Sequence, residues 1–401
     1  MHDQRQPDAT RGDRWTRLLV AVARHIRCGR LRLVLPDGSQ HDFVGSQPGP
    51  EAVLVINRSS VARRILFGGD LAFAEAFMSG DCDCPDLAAL VELATVNDAA
   101  LSRVLQGKLL YKAARRLWHV LRRNSRRGSR RNIAHHYDLG NAFYARWLDP
   151  TMTYSAAVYE RANDDLATAQ LRKYERICRL LDLRPGMQVL EIGCGWGGFA
   201  EHAARNFGVE VTGITLSRAQ HDYARERAER AGLADRIKIK LQDYRDVIGR
   251  FDRIASIEMF EAVGEAYWPV YFDRVRALLA EGGRAALQII TIADSRFEAY
   301  RRNPDFIQKY IFPGGMLPSP TVLKQLVQRA GLAWREDAGF ALDYAHTLTR
   351  WRERFLASWP DIQSLGFDER FRRMWDYYLC YCASGFRHGA IDVRQIALVR
   401  A

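Results

Sequence analysis

From residue 187 onward, short apolar runs alternate with longer segments whose apolar positions recur at helical spacing. Met187–Ile192, Val209–Ile214, Ile237–Leu241, Phe251–Ile257 and Arg284–Ile292 read as strands, with two more at Ala333–Phe340 and Ile391–Arg400. Helices fit between them, for example Ser217–Ala231 and Tyr267–Leu279. This alternation predicts an α/β fold built on a doubly wound, mostly parallel, Rossmann-like seven-stranded sheet. Ligands of such sheets bind beyond the carboxyl ends of the strands, so the residues just after each strand are the informative ones.

The first third of the chain follows another rhythm. Arg30-Leu-Arg-Leu-Val-Leu-Pro-Asp-Gly38 alternates and then turns at Pro36-Asp-Gly38, and Val53-Leu-Val-Ile56 is a further strand. Helices are expected from Val61 to Ala94, broken by Gly80 and Pro85. Residues 1–13 are polar and read as disordered. The expected domains are a small N-terminal α+β domain over 1–105, a basic amphipathic helix and linker over 106–131, and the α/β domain with helical insertions over 132–401.

Charge sharpens the middle region. The net charge is +12, and Lys108–Arg131 holds ten Lys or Arg and no acid. Leu110, Ala113, Ala114, Leu117 and Leu121 share one helical face, flanked by Lys112, Arg115, Arg116, Arg122 and Arg123. Such a helix suits an anionic membrane surface, while a linker helix packed on its own protein stays open beside that reading. There is no run of about 18 uncharged apolar residues to span a bilayer. Residues 15–27 are too interrupted by arginine for a secretory signal. The seven cysteines include the pairs Cys82/Cys84 and Cys380/Cys382, whose spacing does not suit zinc. They read as reduced thiols in a cytoplasm, with no metal expected.

The candidate chemistry starts at Val189-Leu-Glu-Ile-Gly-Cys-Gly-Trp-Gly-Gly-Phe199, where a strand runs into glycines and then a helix. Glycines let backbone amides approach a ligand, and a helix N-terminus adds a positive dipole end. Glu191 stands on the strand itself, two places before Gly193. This resembles the S-adenosylmethionine loop of class I methyltransferases rather than a dinucleotide fingerprint. After the second strand, Thr215, Ser217 and Gln220 offer neutral hydrogen bonds where many nucleotide sites carry an acid; Ser217 also suits a helix cap. Gln242-Asp-Tyr244 follows the third strand and suits an adenine. After the fourth strand, Glu258 and Glu261 stand three apart in Ser256-Ile-Glu-Met-Phe-Glu-Ala-Val-Gly264. A buried carboxylate is costly without partners, so Glu261 reads as functional. The Asn/Asp-Pro-Pro-aromatic segment of DNA amino-methylases is missing here, which argues against nucleic acid as a partner.

Six segments then recur in order: His136-Tyr-Asp-Leu-Gly-Asn141, Leu148-Asp-Pro-Thr-Met-Thr-Tyr-Ser155, Gly193-Cys-Gly-Trp-Gly-Gly198, Gln242-Asp-Tyr-Arg-Asp246, Tyr310-Ile-Phe-Pro-Gly-Gly315 and Phe371-Arg-Arg-Met-Trp-Asp-Tyr-Tyr378. Together they resemble the cyclopropane-fatty-acyl-phospholipid synthases over roughly residues 60–401. The resemblance implies S-adenosylmethionine as cofactor and methyl transfer to the cis double bond of a phospholipid acyl chain, followed by proton loss and ring closure. It implies unsaturated phospholipids with anionic headgroups as partners, and a cytoplasmic enzyme at the inner face of the membrane. A homodimer is left open.

By the same resemblance, Tyr154, Ser155, Gly193, Gly195, Thr215, Leu216, Gln220 and Tyr244 would hold the cofactor, and Glu191, Cys194, Gly197 and Ser217 of the loop and strand end read above are expected to join them. Tyr267, Trp268, Tyr271, Tyr310, Phe312 and Tyr344 are candidate aromatic walls for a cationic intermediate. The family uses bicarbonate as base, held by a cysteine, a glutamate, a histidine, a backbone amide and a tyrosine. Glu261 matches the glutamate, Tyr344 the tyrosine and Ile290 the amide. Ala156 stands in place of that cysteine and Gln288 in place of the histidine, and Cys382 matches another cysteine often assigned as active. Two routes for the proton follow: a weaker bicarbonate site, or Glu261 acting directly. Proton loss from a neighbouring chain carbon would give a methylene- or methyl-branched lipid instead of a ring. A methyltransferase acting on a soluble small molecule, a lipid-binding protein without turnover, and RNA methylation are the competing readings.

Overall fold

The protein is described from a computed structural model, covering residues 14–105, 139–161 and 163–401. The expected disorder of 1–13 and the basic helix of 106–131 lie outside the described residues. Two compact units form.

The first unit contains 14–105 together with 367–384. Helix α1 (Arg14–Ala23) precedes strands β1 (Cys28–Val34), β2 (Gln40–Val44) and β3 (Gln47–Ile56). Helix α2 (Ser60–Met78), strand β4 (Cys82–Asp83) and helices α3 (Leu87–Val96) and α4 (Asp98–Leu105) follow. The sheet order is β2-β1-β3-β4, with β1 and β2 antiparallel across the turn at Pro36-Asp-Gly38. Gly38 sits at φ 83°, which a side chain would strain. Buried Asn97 ties the end of α3 to β1, accepting from the Arg27 and Cys28 amides and donating to the Cys28 and Leu93 carbonyls. Arg373, in the 367–384 segment, donates to the Phe77 and Cys82 carbonyls and pairs with Asp83 at 3.1 Å. That segment lies inside the span expected for the α/β domain, and its long-range partners place it here instead. The amphipathic period of residues 369–384 shows that a helix buries one face. It does not show against which sheet.

The second unit contains 139–366 and 385–401. Its helices are α5 (Asn141–Ala145), α6 (Leu166–Leu180), α7 (Gly198–Phe207), α8 (Arg218–Arg230), α9 (Trp268–Leu278), α10 (Asp294–Arg302), α11 (Pro320–Arg329), α12 (Ala341–Ala357) and α13 (Trp359–Ser364). Helix α14 (Glu369–Arg387) ends in this unit. The strands are β5 (Gln188–Ile192), β6 (Glu210–Thr215), β7 (Ile237–Leu241), β8 (Phe251–Ile257), β9 (Leu279–Ile292), β10 (Leu332–Gly339) and β11 (Ile391–Arg400). They form one sheet in the order β10-β11-β9-β8-β5-β6-β7. Strands β6, β7, β8 and β9 run parallel with β5, and β11 pairs antiparallel with both β9 and β10. This is the expected doubly wound, mostly parallel seven-stranded sheet.

The period of two decides which way each β5 side chain faces. Leu190 and Ile192 join Ile254, Leu287, Leu398, Phe260 and Trp268 in one core. Val189 joins Tyr174, Ile177, Phe199, Val211 and Ala255 in the core on the other face. Central β5 is buried nearly throughout, while edge strand β7 (Ile-Lys-Ile-Lys-Leu) buries only its two isoleucines. Chain order reverses at β5, with β8 on one side and β6 on the other, so the crevice for a ligand opens where β5 ends. Among the described residues no helix is long and apolar enough to cross a membrane.

Candidate active site

The glycine loop shapes the first half of the site. Gly193, Gly195 and Gly197 all take positive φ (83°, 52° and 81°), so the chain leaves β5 in a tight left-handed path. The Gly193 and Cys194 amides both bond to the Ile214 carbonyl, at 3.0 Å, which pins the loop to the neighbouring strand. A Cβ on Gly193 would meet Met259 at 2.6 Å, and one on Gly198 would meet the Tyr174 hydroxyl at 2.5 Å. The N-cap Gly197 has no side chain to cap α7, and the Ala200 amide of its first turn bonds to the Glu191 carboxyl.

A cavity opens over this loop. Of the cofactor residues expected from the sequence, Tyr154, Ser155, Glu191, Gly193, Cys194, Gly195, Thr215, Leu216, Gln220 and Tyr244 line it. Gly197 and Ser217 are not on its wall: Gly197 is the left-handed N-cap of α7, and the Ser217 hydroxyl accepts from the Gln220 amide to cap α8. Thr215 donates to Gln220 Oε1 at 2.8 Å, so the tip of β6 is built from neutral groups. Gln242, Ile192, Ile214, Ile257, Met259 and Ala262 complete much of the wall.

Two orphaned polar atoms belong to wall residues: Glu191 Oε2 and the Tyr244 hydroxyl are buried without a hydrogen-bond partner. Burial pushes the Glu191 carboxyl up to about 8, against the pull of Lys173. Lys173 is itself fully buried, donates to Ser155 Oγ at 2.6 Å and is drawn down to about 8 by the same desolvation. A glycine cradle at a helix N-terminus, unmet polar atoms and acidic walls fit a cationic, amino-acid-bearing nucleoside such as S-adenosylmethionine.

The second half of the site lies where β8 ends. Glu258, on the cavity wall, holds φ 49°, in the left-handed region that a side chain enters at a cost of about 1 kcal/mol. Its amide bonds to the Gln288 carbonyl at 2.8 Å. Its carboxylate then collects three donors. Oε1 accepts from the Ala156 amide at 2.8 Å and Gln288 Nε2 at 2.6 Å, and Oε2 accepts from the Tyr344 hydroxyl at 2.6 Å. Gln288 is oriented by Gln395, whose Nε2 donates to Gln288 Oε1 at 2.8 Å. Burial raises the Glu258 carboxyl above its usual value, opposed by Tyr344, Ala156, Gln288 and the charge of Lys173.

Glu261 is placed differently. Its Oε1 accepts from the Ile290 amide, at 2.5 Å, and its Oε2 is buried without a hydrogen-bond partner. Burial and the neighbouring Glu258 charge push it up to about 8. The structure therefore brings Gln288 and Tyr344 together with Glu258 as their shared acceptor, and sets Glu261 beside them against the Ile290 amide. Cys382 is half-buried on α14, in the segment grouped with the first unit. Trp268 and Tyr271 are packed in the core with Phe260 rather than on the cavity wall. The sequence reading missed Glu258 as the better-connected carboxylate. The one signal for it is its place directly after β8, where the chain first leaves the sheet.

Fold and site together define a class I S-adenosylmethionine-dependent methyltransferase. Residues 124–396 match the family described as mycolic acid cyclopropane synthetase, and the chain belongs to that family. It is 40% identical to tuberculostearic acid methyltransferase UfaA1 of Mycobacterium tuberculosis over 96% of this chain and 90% of that protein. It is 39% identical to the cyclopropane-fatty-acyl-phospholipid synthase of Escherichia coli over 89% of each. Among solved structures, mycolic acid cyclopropane synthase CmaA1 complexed with SAH and CTAB superposes with a TM-score of 0.64 at 31% identity, covering 67% of this chain and 97% of that one.

Proposed function

We propose that this enzyme methylates the cis double bond of unsaturated phospholipid acyl chains. The observation that carries the reading is a carboxylate held by three donors at the edge of the cofactor cavity, beside apolar wall residues Ile257 and Met259. When bound, S-adenosylmethionine supplies an electrophilic methyl group. An alkene is a poor nucleophile, so the walls must exclude water and align the double bond. Methylation leaves a carbocation on the acyl chain, and a proton must then depart to a base. The names of the two curated relatives above support a fatty-acyl substrate.

The product depends on which proton leaves. Loss from the added carbon with bond closure gives a cyclopropane, the reading favoured by the likeness to the Escherichia coli synthase. Loss from a neighbouring chain carbon gives a branched product, favoured by the likeness to UfaA1 together with Ala156 and Gln288. The test is expression in a host without such enzymes, followed by lipid analysis. Both products add one CH2, so proton NMR must decide: upfield ring-methylene signals support the cyclopropane, and olefinic signals of a branched chain remove it. No mass gain on any lipid defeats the reading as a whole.

A membrane-surface substrate is supported by the run Lys108–Arg131. Neutralising Arg122, Arg123, Arg126 and Arg127 should weaken sedimentation with anionic vesicles by about 1 kcal/mol per charge. Failure of the unaltered enzyme to bind vesicles at low salt favours a soluble acceptor instead.

A further inference from the structure

We propose that the Glu258 carboxylate is the proton acceptor of the reaction and occupies the place of a bound bicarbonate, so that this enzyme works without that ion. The inference rests on the acyl-chain reading above.

It starts from donors. An external anion needs hydrogen-bond donors that the protein has not already used. The Ala156 amide and the Tyr344 hydroxyl are each committed to Glu258. Gln288 directs its Nε2 to Glu258 Oε1 at 2.6 Å and to the Ala156 carbonyl at 3.3 Å. Gln395 holds the other end of that amide, so Gln288 cannot turn to offer more. The Ile290 amide is taken by Glu261. Every donor expected to line a bicarbonate cradle is therefore taken by one of the protein's own carboxylates.

A carboxylate is also the right replacement. Like bicarbonate it is a planar anion with two equivalent oxygens, able to accept donors on its flanks and a proton on a remaining lone pair. Glu258 Oε2 receives one hydrogen bond from Tyr344, and Glu258 lines the cofactor cavity. Glu261, with backbone donors alone and an unmet oxygen, lacks such side-chain support. Two adjacent carboxyls whose surroundings differ in this way separate into an ionised member and a protonated one. Three donors and buried Lys173 mark Glu258 as the ionised member. The unfavourable backbone at Glu258 is the local cost of carrying that carboxylate directly off β8.

The step balances without a co-reactant. A C–H bond of the methylated, cationic acyl chain breaks, and its electron pair fills the electron-deficient carbon. The proton forms an O–H bond at Glu258 Oε2, and Glu258 later returns it to solvent.

The experiment compares bicarbonate dependence in the unaltered enzyme and in Glu258→Ala, with Glu258→Gln as the variant that keeps the side-chain volume. In buffer stripped of carbon dioxide the unaltered enzyme should keep full turnover. Glu258→Gln should lose about 100-fold or more, with S-adenosylmethionine affinity by calorimetry unchanged. Glu258→Ala should regain turnover with added bicarbonate or formate. A readout that needs no substrate is NMR of [13C]bicarbonate, whose line should broaden with Glu258→Ala and not with the unaltered enzyme. Turnover of the unaltered enzyme that collapses without bicarbonate and returns with it overturns the proposal, as does a Glu258→Gln enzyme of near-normal rate. If no lipid is methylated at all, the acyl-chain reading fails; bicarbonate broadening by the unaltered enzyme would then defeat the Glu258 inference separately.

Discussion

The two halves of the site are assembled in opposite ways. The glycine cradle is local: Glu191 to Gly198 is one continuous strand-loop-helix turn, with Thr215 to Gln220 and Gln242 to Tyr244 added from the next two strand ends. The acid pocket is not. Ala156, Gln288 and Tyr344 stand 102, 30 and 86 residues from Glu258. Local turns can be conserved in form by backbone rules alone, whereas a pocket built from four segments depends on how the whole unit packs. The cradle governs how tightly the cofactor is held, and the pocket governs what happens to a proton.

That division is open to direct attack. Its largest expected signature is Glu258→Gln, with turnover down by about 10²- to 10⁴-fold and cofactor affinity preserved. Loss of affinity in that variant would merge the two halves into one. Glu261→Gln sharpens the same point, because glutamine resembles the protonated carboxyl that burial enforces at this position. Its turnover should fall less than about 10-fold, and a larger loss would return the leading role to Glu261.

Next in size is Gly195→Val. Beyond its chain neighbours nothing lies within 4 Å of a Cβ at this position, so the new side chain intrudes on the space for the ligand as well as straining the loop. Calorimetry should show cofactor affinity reduced by about 100-fold, roughly 2.7 kcal/mol, and the melting temperature should fall modestly because valine is strained at φ 52°. Unchanged affinity would mean that the cradle is assigned to the wrong loop.

Tyr344→Phe is expected to be milder, about 10-fold in turnover, the scale of one hydrogen bond to a charged group. Glu258 must be ionised to accept a proton, so rate falls as pH drops through its raised value. Removing the Tyr344 hydroxyl takes away a group that lowers that value. The acid limb of the rate profile should therefore move to higher pH, a shift that a merely structural tyrosine would not produce.

A last effect, on stability, is spread over several pH units. Glu191 and Glu261 have folded values raised to about 8 from 4.5. Between those values the folded state binds more protons than the unfolded chain, so stability falls as pH rises through that window. The slope is at most about 1.4 kcal/mol per pH unit for each group. Melting curves of the ligand-free enzyme should decline from pH 5 to 8, and Glu261→Gln should flatten the decline. A flat profile in the unaltered enzyme would show that these carboxyls are better solvated than the geometry implies.

Much was legible in the chain because it is written at short range. The consecutive apolar residues Val189-Leu190 and Ile254-Ala255 marked β5 and β8, since a central parallel strand is buried on both faces. Glycines at 193, 195 and 197 announced a left-handed turn because only glycine takes that path without strain. The seven-stranded sheet followed from the alternation of such segments, and ten of the cavity-lining residues from the motifs that resemble the family.

Other features were settled only by packing. Helix 369–384 has an amphipathic pattern that suits either unit, and Arg373 with Asp83 decided its partner. Glu258 and Glu261 are equivalent as letters three places apart in one turn. The fold sends one toward Ala156, Gln288 and Tyr344, and the other toward the Ile290 amide. Which carboxylate is ionised depends on donors far away in the chain and on the low dielectric around them, and neither is encoded by neighbouring residues.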